Sequence, residues 1–213
     1  MRFFGYFRSS AAYRCRIAFN LKGVAPAMVS VHLRKGEQRA AEFLGLNPQG
    51  LVPALEADGA LLTQSLAIID WLDETHPEPP LLPKAPLQRA HVRSLALSIA
   101  CDIHPLQNLR VLRYLKHELN QDQQGLDRWC RHWIELGLTA FEATVAKSGT
   151  SGAFCFGDTP TLADICLVPQ VFSAARFGAD VSQLTNIQRI MKSCDAHPAF
   201  SAAHPSRQPD TEA

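Results

Sequence analysis

The alternation of apolar and polar positions predicts a strand, a helix and a second strand at the start of the chain. Residues 2–6 form a short apolar and aromatic run that is typical of a strand. Apolar residues then recur at every fourth position from Tyr13 to Leu21, as on one face of a helix, and Gly23 supplies a stop signal. Apolar residues alternate again from Met28 to Leu33. Such a unit pairs its two strands in parallel through a right-handed crossover.

A second group of elements completes this sheet. The pattern predicts a helix over residues 37–46, then two short strands over 52–55 and 60–63 with an Asp-Gly turn signal between them. A helix capped by Ser65 follows and ends before the next proline. We therefore expect a mixed four-stranded sheet, as in a thioredoxin-like domain.

A proline-rich segment divides the chain into two regions. Five prolines fall within residues 76–86, a density that excludes the interior of a helix or strand. We expect a thioredoxin-like α/β domain over 1–78, a linker over 79–86 and an all-α domain over 87–213. The helical patterns of the second domain cover residues 87–117, 124–147, 161–177 and 183–196. The tail from His204 is expected to fray.

One motif of the second region has a structural interpretation. Thr161 precedes a mostly apolar helical run, and Asp164 follows it by three residues. This spacing is typical of a capping box with aspartate in place of glutamate, in which the two residues satisfy each other's amides.

Composition and charge narrow the class of protein. The chain has 213 residues, is 46% hydrophobic and carries a net charge of +1, which favours a globular fold and neither a nucleic-acid nor a membrane partner. The six cysteines show no metal-binding or CxxC spacing, so we expect no metal site and free thiols in a reducing cytoplasm. No secretion signal and no membrane-spanning apolar run of about 18 residues is present.

The start of the first helix is the most informative place for chemistry. Ser9 and Ser10 lie where a helix begins, and Arg8, Arg14 and Arg16 surround them. A helix N-terminus has unpaired amides and a partial positive charge, so it favours an anion such as a thiolate or a carboxylate. A simpler interpretation is that one serine caps the helix and the arginines are surface residues. No cysteine stands at the serines, so a thiolate would arrive with a cofactor.

Two further segments extend this idea. Val52-Pro53 precedes a strand, where a cis peptide bond would leave the backbone of Val52 open to pairing with an extended peptide. Gln64-Ser65 opens the next helix and suits a carboxylate. A small thiol peptide with a free γ-glutamyl end would satisfy the thiolate, backbone and carboxylate sites together.

These segments belong to a set of motifs that resembles the zeta class of the glutathione transferases. The run Ser-Ser-Ala-Ala-Tyr-Arg-Cys-Arg-Ile-Ala over residues 9–18 is similar to the first-helix signature of that class. The similarity continues through residues 46–48, 51–55, 64–69, 104–109, 157–164 and 167–170. It implies a glutathione transferase fold, glutathione as cofactor and a homodimer. The class contains the maleylacetoacetate and maleylpyruvate isomerases, so it also implies cis-trans isomerisation of a maleyl keto acid to its fumaryl isomer, in the catabolism of aromatic compounds.

The resemblance also implies roles for individual residues. The catalytic candidates are Ser9, Ser10 and Arg8. The resemblance implies that one or both serines face the glutathione sulfur, and the place of Arg8 beside the serines makes it the candidate to face the ketone of the substrate. The candidates for holding glutathione are the two serines with Gln38, Val52, Pro53, Gln64, Ser65, Asp102, His104 and Asn108. The candidates for the substrate carboxylates are Arg8, Arg110 and Arg176.

The sequence departs from the first-helix signature of the class at two positions. Ala11 stands where the signature has cysteine, and Tyr13 stands where it has tryptophan or histidine. The loss of that cysteine leaves a mechanism based on serine intact.

Other interpretations remain open at this point. Arg176 lies near a helix C-terminus, where it would also interact with the helix dipole, and Arg110 belongs to a charge run typical of a solvated helix face. A general glutathione transferase that conjugates or dehalogenates small electrophiles is the alternative enzyme, and a catalytically silent binding module is the alternative outside enzymes. The sequence leaves open which of the two maleyl keto acids is preferred.

Overall fold

The computed structural model describes residues 1–212, which form two compact units. The first contains residues Met1–Pro80 and the C-terminal segment from His197 onward, and the second contains Leu81–Ala196. The all-α domain predicted over 87–213 differs from this division at residues 197–212. Their contacts are with the first unit, because Asn20 Nδ2 donates to the Ala199 carbonyl (2.9 Å) and Arg16 Nε donates to the Ala203 carbonyl (3.1 Å).

The first unit is built on the predicted mixed sheet of four strands. Its strands are β1 (Arg2–Gly5), β2 (Ala27–Ser30), β3 (Ala54–Ala57) and β4 (Ala60–Thr63). They lie in the order β2-β1-β3-β4, with β1 parallel to β2 and antiparallel to β3, and with β3 antiparallel to β4. The thioredoxin-like arrangement expected from the sequence is confirmed.

Helices cover both faces of this sheet. The helices of the first unit are α1 (Ser10–Lys22), α2 (Ala41–Leu46), α3 (Ser65–Thr75) and, near the C-terminus, α9 (Pro198–Ala203). Neighbouring strand residues point to opposite faces, so Phe3 packs edge-on against Phe19 of α1 while Phe4 packs against Phe43 of α2. Burial of both faces explains why β1 is an uninterrupted apolar run instead of an alternating one.

Two local predictions are wrong. The predicted helix over 37–46 is a 3-10 turn (Glu37–Arg39) followed by α2, because Ala40 between them has an extended backbone (φ −65°, ψ 144°). The strand predicted to reach Leu33 ends at Ser30, since its partner strand β1 ends at Gly5. Beyond it the His32 amide donates to the Glu37 carboxylate (2.6 Å), which turns the chain.

The tail was expected to fray, and this expectation is also wrong. Residues Pro205–Arg207 form a 3-10 turn. Asp210 Oδ2 accepts hydrogen bonds from the Phe7 amide (3.0 Å) and the Ser30 hydroxyl (3.1 Å). Glu212 forms ion pairs with His32 and Arg34. The acidic side chains of the tail thus find donors on the loop before α1 and on residues at and after the end of β2.

The second unit is helical, as predicted. It contains α4 (Pro86–Leu97), α5 (Leu109–His117), α6 (Gln123–Ser148), α7 (Leu162–Phe177) and α8 (Thr185–Ala196). The pattern predicted over 87–117 is interrupted between α4 and α5 by a π-helical turn (Ser98–Ile103) and a 3-10 turn (His104–Gln107). Helix α7 is buried almost throughout, so it forms the centre of this unit. Within residues 1–212, no helix combines the length and apolar character that crossing a bilayer requires.

The capping box at the start of α7 is confirmed. Asp164 accepts hydrogen bonds from the amide and the hydroxyl of Thr161 (both 2.8 Å) and from the Cys155 amide (2.8 Å). Burial raises the pKa of Asp164, and these hydrogen bonds oppose that shift. The carboxyl group therefore fixes the N-terminus of α7 and the loop before it.

We expect Asp164→Ala to lower the free energy of unfolding by about 3 kcal/mol, because it leaves two buried amides without an acceptor. Urea-induced unfolding measures this change. Asp195→Ala, at an exposed position of α8, is the control and should change stability by less than about 0.5 kcal/mol. Equal stability of the two variants would contradict the role assigned to Asp164.

Candidate active site

Sheet topology brings four of the predicted segments to one edge. Gly5 at the end of β1 pairs with Ser30 at the end of β2, and Phe4 pairs with Ala54 at the start of β3. Ala54 in turn pairs with Thr63 at the end of β4. The loop before α1, the segment after β2, the residues before β3 and the start of α3 therefore all leave the sheet at the same edge. These segments carry Ser9, Gln38, Val52-Pro53 and Gln64-Ser65.

Ser9 occupies the N-cap of α1. Its backbone is extended (φ −69°, ψ 116°), and its hydroxyl oxygen accepts a hydrogen bond from the Ala12 amide (3.2 Å). Accepting this bond leaves the hydroxyl hydrogen available to donate to an anion. The capping role and the proposed ligand contact of Ser9 are thus compatible. Ser10 is the first residue of α1 and, like Arg8 and Ser9, is partly exposed.

The two other arginines near the serines are buried, so they are not the surface charges of the simpler interpretation. Arg14 is 2% exposed, and its Nη1 donates to the Ser65 hydroxyl (3.3 Å) at the start of α3. Its Nε and Nη2 have no hydrogen-bond partner within the described part of the chain. Arg14 therefore places a positive charge behind the N-terminus of α3, where the helix dipole already favours an anion.

Arg16 holds the loop that precedes Ser9. It is 4% exposed, and its Nη1 and Nη2 donate to the carbonyls of Tyr6 (3.4 Å) and Phe7 (2.9 Å). The Ser9 amide donates to the same Tyr6 carbonyl (3.0 Å). Burial lowers the pKa of Arg16 to about 10, so it is still a cation at neutral pH.

The remaining segments of this edge offer backbone and side-chain groups to a ligand. Gln38 is buried, and its Oε1 has no hydrogen-bond partner among residues 1–212, so it suits an amide donor of a peptide. The Val52–Pro53 peptide bond is cis, as predicted, and Val52 lies before the first paired residue of β3. Its backbone groups are thus outside the sheet ladder, which fits the predicted pairing with an extended peptide.

Gln64, not Ser65, is the N-cap of α3. Gln64 has a positive φ (69°), which is uncommon for a residue with a side chain, and its Nε2 donates to Gln49 Oε1 (3.2 Å). Ser65 is the first residue of the helix and is buried, with its hydroxyl accepting from Arg14. The prediction that Ser65 caps the helix is therefore wrong, although its amide lies in the first turn as expected.

In the second unit, three predicted residues lie at the interruption between α4 and α5. Asp102 is exposed in the π-helical turn, and His104 begins the 3-10 turn. Asn108 caps α5, where its Oδ1 accepts from the Arg110 amide (3.1 Å). A π-helical turn within a helix often accompanies a functional site. The sequence pattern predicts one helical segment over residues 87–117 and does not indicate this turn.

Two of the three predicted substrate arginines belong to the second unit and lie near helix ends. Arg110 is exposed in the first turn of α5. Arg176 is exposed in the last turn of α7, with its guanidinium 5.0 Å from the centre of the Phe177 ring. The position of Arg176 agrees with the helix-dipole interpretation.

Comparisons with known proteins agree with this geometry. Family models described as the N-terminal and C-terminal domains of glutathione S-transferase match residues 8–75 and 123–202, so neither reaches residues 204–212. A probable maleylacetoacetate isomerase of Vibrio cholerae is 48% identical over 97% of this chain and 96% of its own length. A solved holo structure of a maleylpyruvate isomerase, a bacterial zeta-class glutathione S-transferase, is 45% identical over all of both chains, with a TM-score of 0.98. The chain belongs to the zeta class of the glutathione S-transferase family.

A second solved structure bears on the ligands of this class. The maleylacetoacetate isomerase of Methylobacterium extorquens AM1 is 41% identical over all of both chains, with a TM-score of 0.96, and was solved with bound malonate and glutathione. That relative therefore holds a dicarboxylate together with glutathione.

The structure of this glutathione transferase explains one departure from the class signature. Tyr13 is buried, with the Arg16 guanidinium 5.2 Å from its ring centre and the His204 ring packed edge-on against it at 6.2 Å. Tyr13 thus joins α1 to the start of the tail. Sequence analysis missed this contact, as it missed Gln49 beside Gln64 and Asp210 beside Phe7, because no local pattern marks a contact between distant segments.

The positive φ of Gln64 gives a testable prediction. We expect Gln64→Gly to raise the free energy of unfolding by about 1 kcal/mol, because glycine adopts this backbone conformation without strain. We also expect it to weaken glutathione binding, because the side chain at the predicted carboxylate site is lost. Urea-induced unfolding and calorimetric titration with glutathione measure the two effects.

Asp58→Gly is the matched control for that prediction, since Asp58 also has a positive φ (51°) but lies in the β3–β4 turn. It should change stability in the same direction and leave glutathione affinity unchanged. A Gln64→Gly protein that is less stable and binds glutathione normally would contradict the role proposed for this residue.

Proposed function

We propose that this chain is a glutathione-dependent cis-trans isomerase that converts maleylpyruvate or maleylacetoacetate to the fumaryl isomer. The single observation that carries the proposal is the Ser9 hydroxyl, which caps α1 at the sheet edge and keeps its hydrogen free to donate. Full-length similarity to maleylacetoacetate and maleylpyruvate isomerases supports the reaction and the substrate class.

The edge of the first unit fits glutathione at three points. Gln38 offers a buried, unpartnered acceptor, Val52 offers backbone groups outside the sheet ladder, and the N-terminus of α3 with Arg14 behind it suits the γ-glutamyl carboxylate. Ser9 is then the donor for the sulfur, with Ser10 beside it. When bound, glutathione would supply a thiolate that adds to the cis double bond; after rotation about the resulting single bond, loss of the same thiolate would restore the double bond in the trans product and regenerate glutathione.

The first task of the protein is to keep this thiol ionised at neutral pH. Free thiols have a pKa of about 8.5, and a helix N-terminus with a hydroxyl donor lowers it. A reduction by two pKa units corresponds to about 2.7 kcal/mol of thiolate stabilisation. Ser9 supplies the hydroxyl, and the amides of the first turn of α1 supply the dipole.

The second task is to hold a substrate with two carboxylates and a ketone. Arg8, Arg110 and Arg176 are the proposed partners, since a guanidinium donates two parallel hydrogen bonds to a carboxylate. Malonate in a related isomerase supports a site for dicarboxylates. Arg8 stands directly before Ser9, and it is our candidate for stabilising negative charge at the ketone oxygen.

Three residues at the interruption between α4 and α5 are also assigned to glutathione. Asp102, His104 and Asn108 are assigned to the neighbourhood of glutathione in a homodimer, as in the class that the chain belongs to.

A cytoplasmic location is supported by the cysteines, all six of which are free thiols in the described chain. The partners are the small keto acid and a second copy of the chain.

Ser9→Ala should lower kcat/KM for glutathione-dependent isomerisation of maleylpyruvate about 10- to 100-fold at neutral pH, because one to two pKa units of thiol activation are lost. A spectrophotometric assay with and without glutathione measures this. Ser9→Thr keeps both the cap and the hydroxyl, and it should retain most of the activity. Loss of the cap alone costs about 1 kcal/mol of stability, so Ser9→Ala should still fold. A thermal unfolding scan checks this.

Ser10→Ala is the companion variant that shows which serine serves the sulfur. A larger loss in Ser10→Ala than in Ser9→Ala would contradict the assignment to Ser9. Absence of isomerisation by the wild-type protein, with conjugation of a chloro-substituted electrophile instead, would refute the proposed function and indicate a general transferase.

Arg176→Ala should raise KM for the keto acid about 10- to 100-fold, because charge-assisted hydrogen bonds contribute about 1.5–3 kcal/mol. Arg176→Lys should recover part of this loss but not all, since lysine lacks the planar fork. Steady-state kinetics at saturating glutathione separate KM from kcat. The control is Arg128→Ala, which removes the same charge from an exposed position of α6; equal effects of the two alanine variants would contradict a specific carboxylate contact.

A further inference from the structure

We propose that Asp210 and Arg16 are positioning residues, which hold the loop of residues 6–9 from two sides and thereby set the place of the Ser9 hydroxyl. We define the tail as residues 204–212. The catalytic consequence rests on the proposed function, whereas the effect on the loop is testable without any ligand.

The loop before Ser9 is held through its backbone. Arg16 donates to the carbonyls of Tyr6 and Phe7, and the Phe7 amide donates to Asp210 Oδ2 at 3.0 Å. The Ser9 amide shares the Tyr6 carbonyl with Arg16. Both the amide and the carbonyl of Phe7 are therefore satisfied by side chains from elsewhere in the chain. The Ser9 amide is linked to Arg16 through their common acceptor, the Tyr6 carbonyl.

The two positioning residues also act on each other. Burial is the main cause of the lowered pKa of Arg16, and the charge of Asp210 opposes that shift. Arg16 Nε donates to the Ala203 carbonyl immediately before the tail, and the Arg16 guanidinium lies over the Tyr13 ring. A buried guanidinium with three carbonyl acceptors and a carboxylate near enough to interact electrostatically is well compensated, so it fixes the groups around it.

The tail is anchored at points away from the loop as well. The Thr211 hydroxyl donates to the Pro205 carbonyl (2.5 Å), and Glu212 forms ion pairs with His32 and Arg34 after β2. The His204 ring packs against Tyr13. These contacts anchor the rest of the tail, and among the acidic residues of the tail only Asp210 bonds to the loop backbone itself.

Small displacements of a reacting group have large effects. A shift of about 1 Å costs on the order of 100-fold in rate, because the bound thiolate must approach the substrate in one geometry. Loss of the Asp210 acceptor frees the Phe7 amide, so the loop and the Ser9 hydroxyl become less well placed. The thiol of bound glutathione then loses part of its donor, and its pKa rises.

Full-length wild type, Asp210→Ala, Asp210→Asn and Glu212→Ala proteins test this role. Asp210→Asn keeps an oxygen that accepts from the Phe7 amide, and Glu212→Ala removes tail contacts that do not involve the loop. We expect Asp210→Ala to lower kcat/KM about 10- to 100-fold and to raise the pKa of the bound glutathione thiol by about one unit. We expect Asp210→Asn and Glu212→Ala to stay within about threefold of wild type.

The thiol pKa, read from the pH dependence of thiolate ultraviolet absorption, separates positioning from charge. Removal of a negative charge favours a nearby thiolate, so a purely electrostatic role would lower the thiol pKa in both Asp210 variants. A rise confined to Asp210→Ala supports positioning. A fall in both variants, or an equal loss of activity in Glu212→Ala, overturns it.

Amide hydrogen exchange without ligand tests the loop apart from the proposed function. Asp210→Ala should speed exchange at Phe7 and Ser9 at least about tenfold, while Asp210→Asn and Glu212→Ala should not. Unchanged exchange at both amides in Asp210→Ala overturns the positioning role even if the isomerase assay succeeds. Failure of the wild type to bind glutathione would overturn the proposed function and the catalytic consequence, and the exchange result would still decide whether Asp210 holds the loop.

Discussion

The unpaired amides at the N-terminus of α1 are the constraint on which the site depends. Four amides at a helix start lack partners within the helix, and Ser9 satisfies only the Ala12 amide. Because β1 is parallel to β2, α1 must cross back over the sheet, and its N-terminus lies at the edge where β1 ends. The same edge receives the start of α3, so two helix N-termini, each of which favours an anion, lie at one edge of the sheet.

Two buried arginines of α1 stabilise the segments around this edge. Arg14 joins α1 to the first residue of α3, and Arg16 joins α1 to the loop before Ser9 and to the C-terminal segment. Both side chains are removed from water, so their charges are weakly screened, and the donors of Arg16 are directed to three carbonyl oxygens. Helix α1 therefore has two structural roles: its N-terminus lies at the edge that carries the candidate site, and its buried arginines hold the loop before Ser9 and the start of α3.

Predictions from sequence succeeded where a local pattern carried the signal. The turn at Asp58-Gly59 and the capping box at Asp164 depend on neighbouring residues, so each could be predicted from a short stretch. The helix expected over 37–46 and the strand expected to reach Leu33 failed because a change of backbone at Ala40 and the end of a partner strand decide them. The roles of the candidate site residues stay predictions for the experiments above.

The sequence by itself determined the class of fold, the family and the positions of Ser9, Val52-Pro53 and Gln64-Ser65, since motifs and periodicity are properties of adjacent residues. Only the tertiary structure decided that Arg14 and Arg16 are interior residues and that Asp210 bonds to Phe7. Periodicity ranks a charged side chain as exposed, and it has no means of pairing residues some 200 positions apart. Such pairings form because buried donors require acceptors, and the acceptors are supplied by whichever segment the fold brings near.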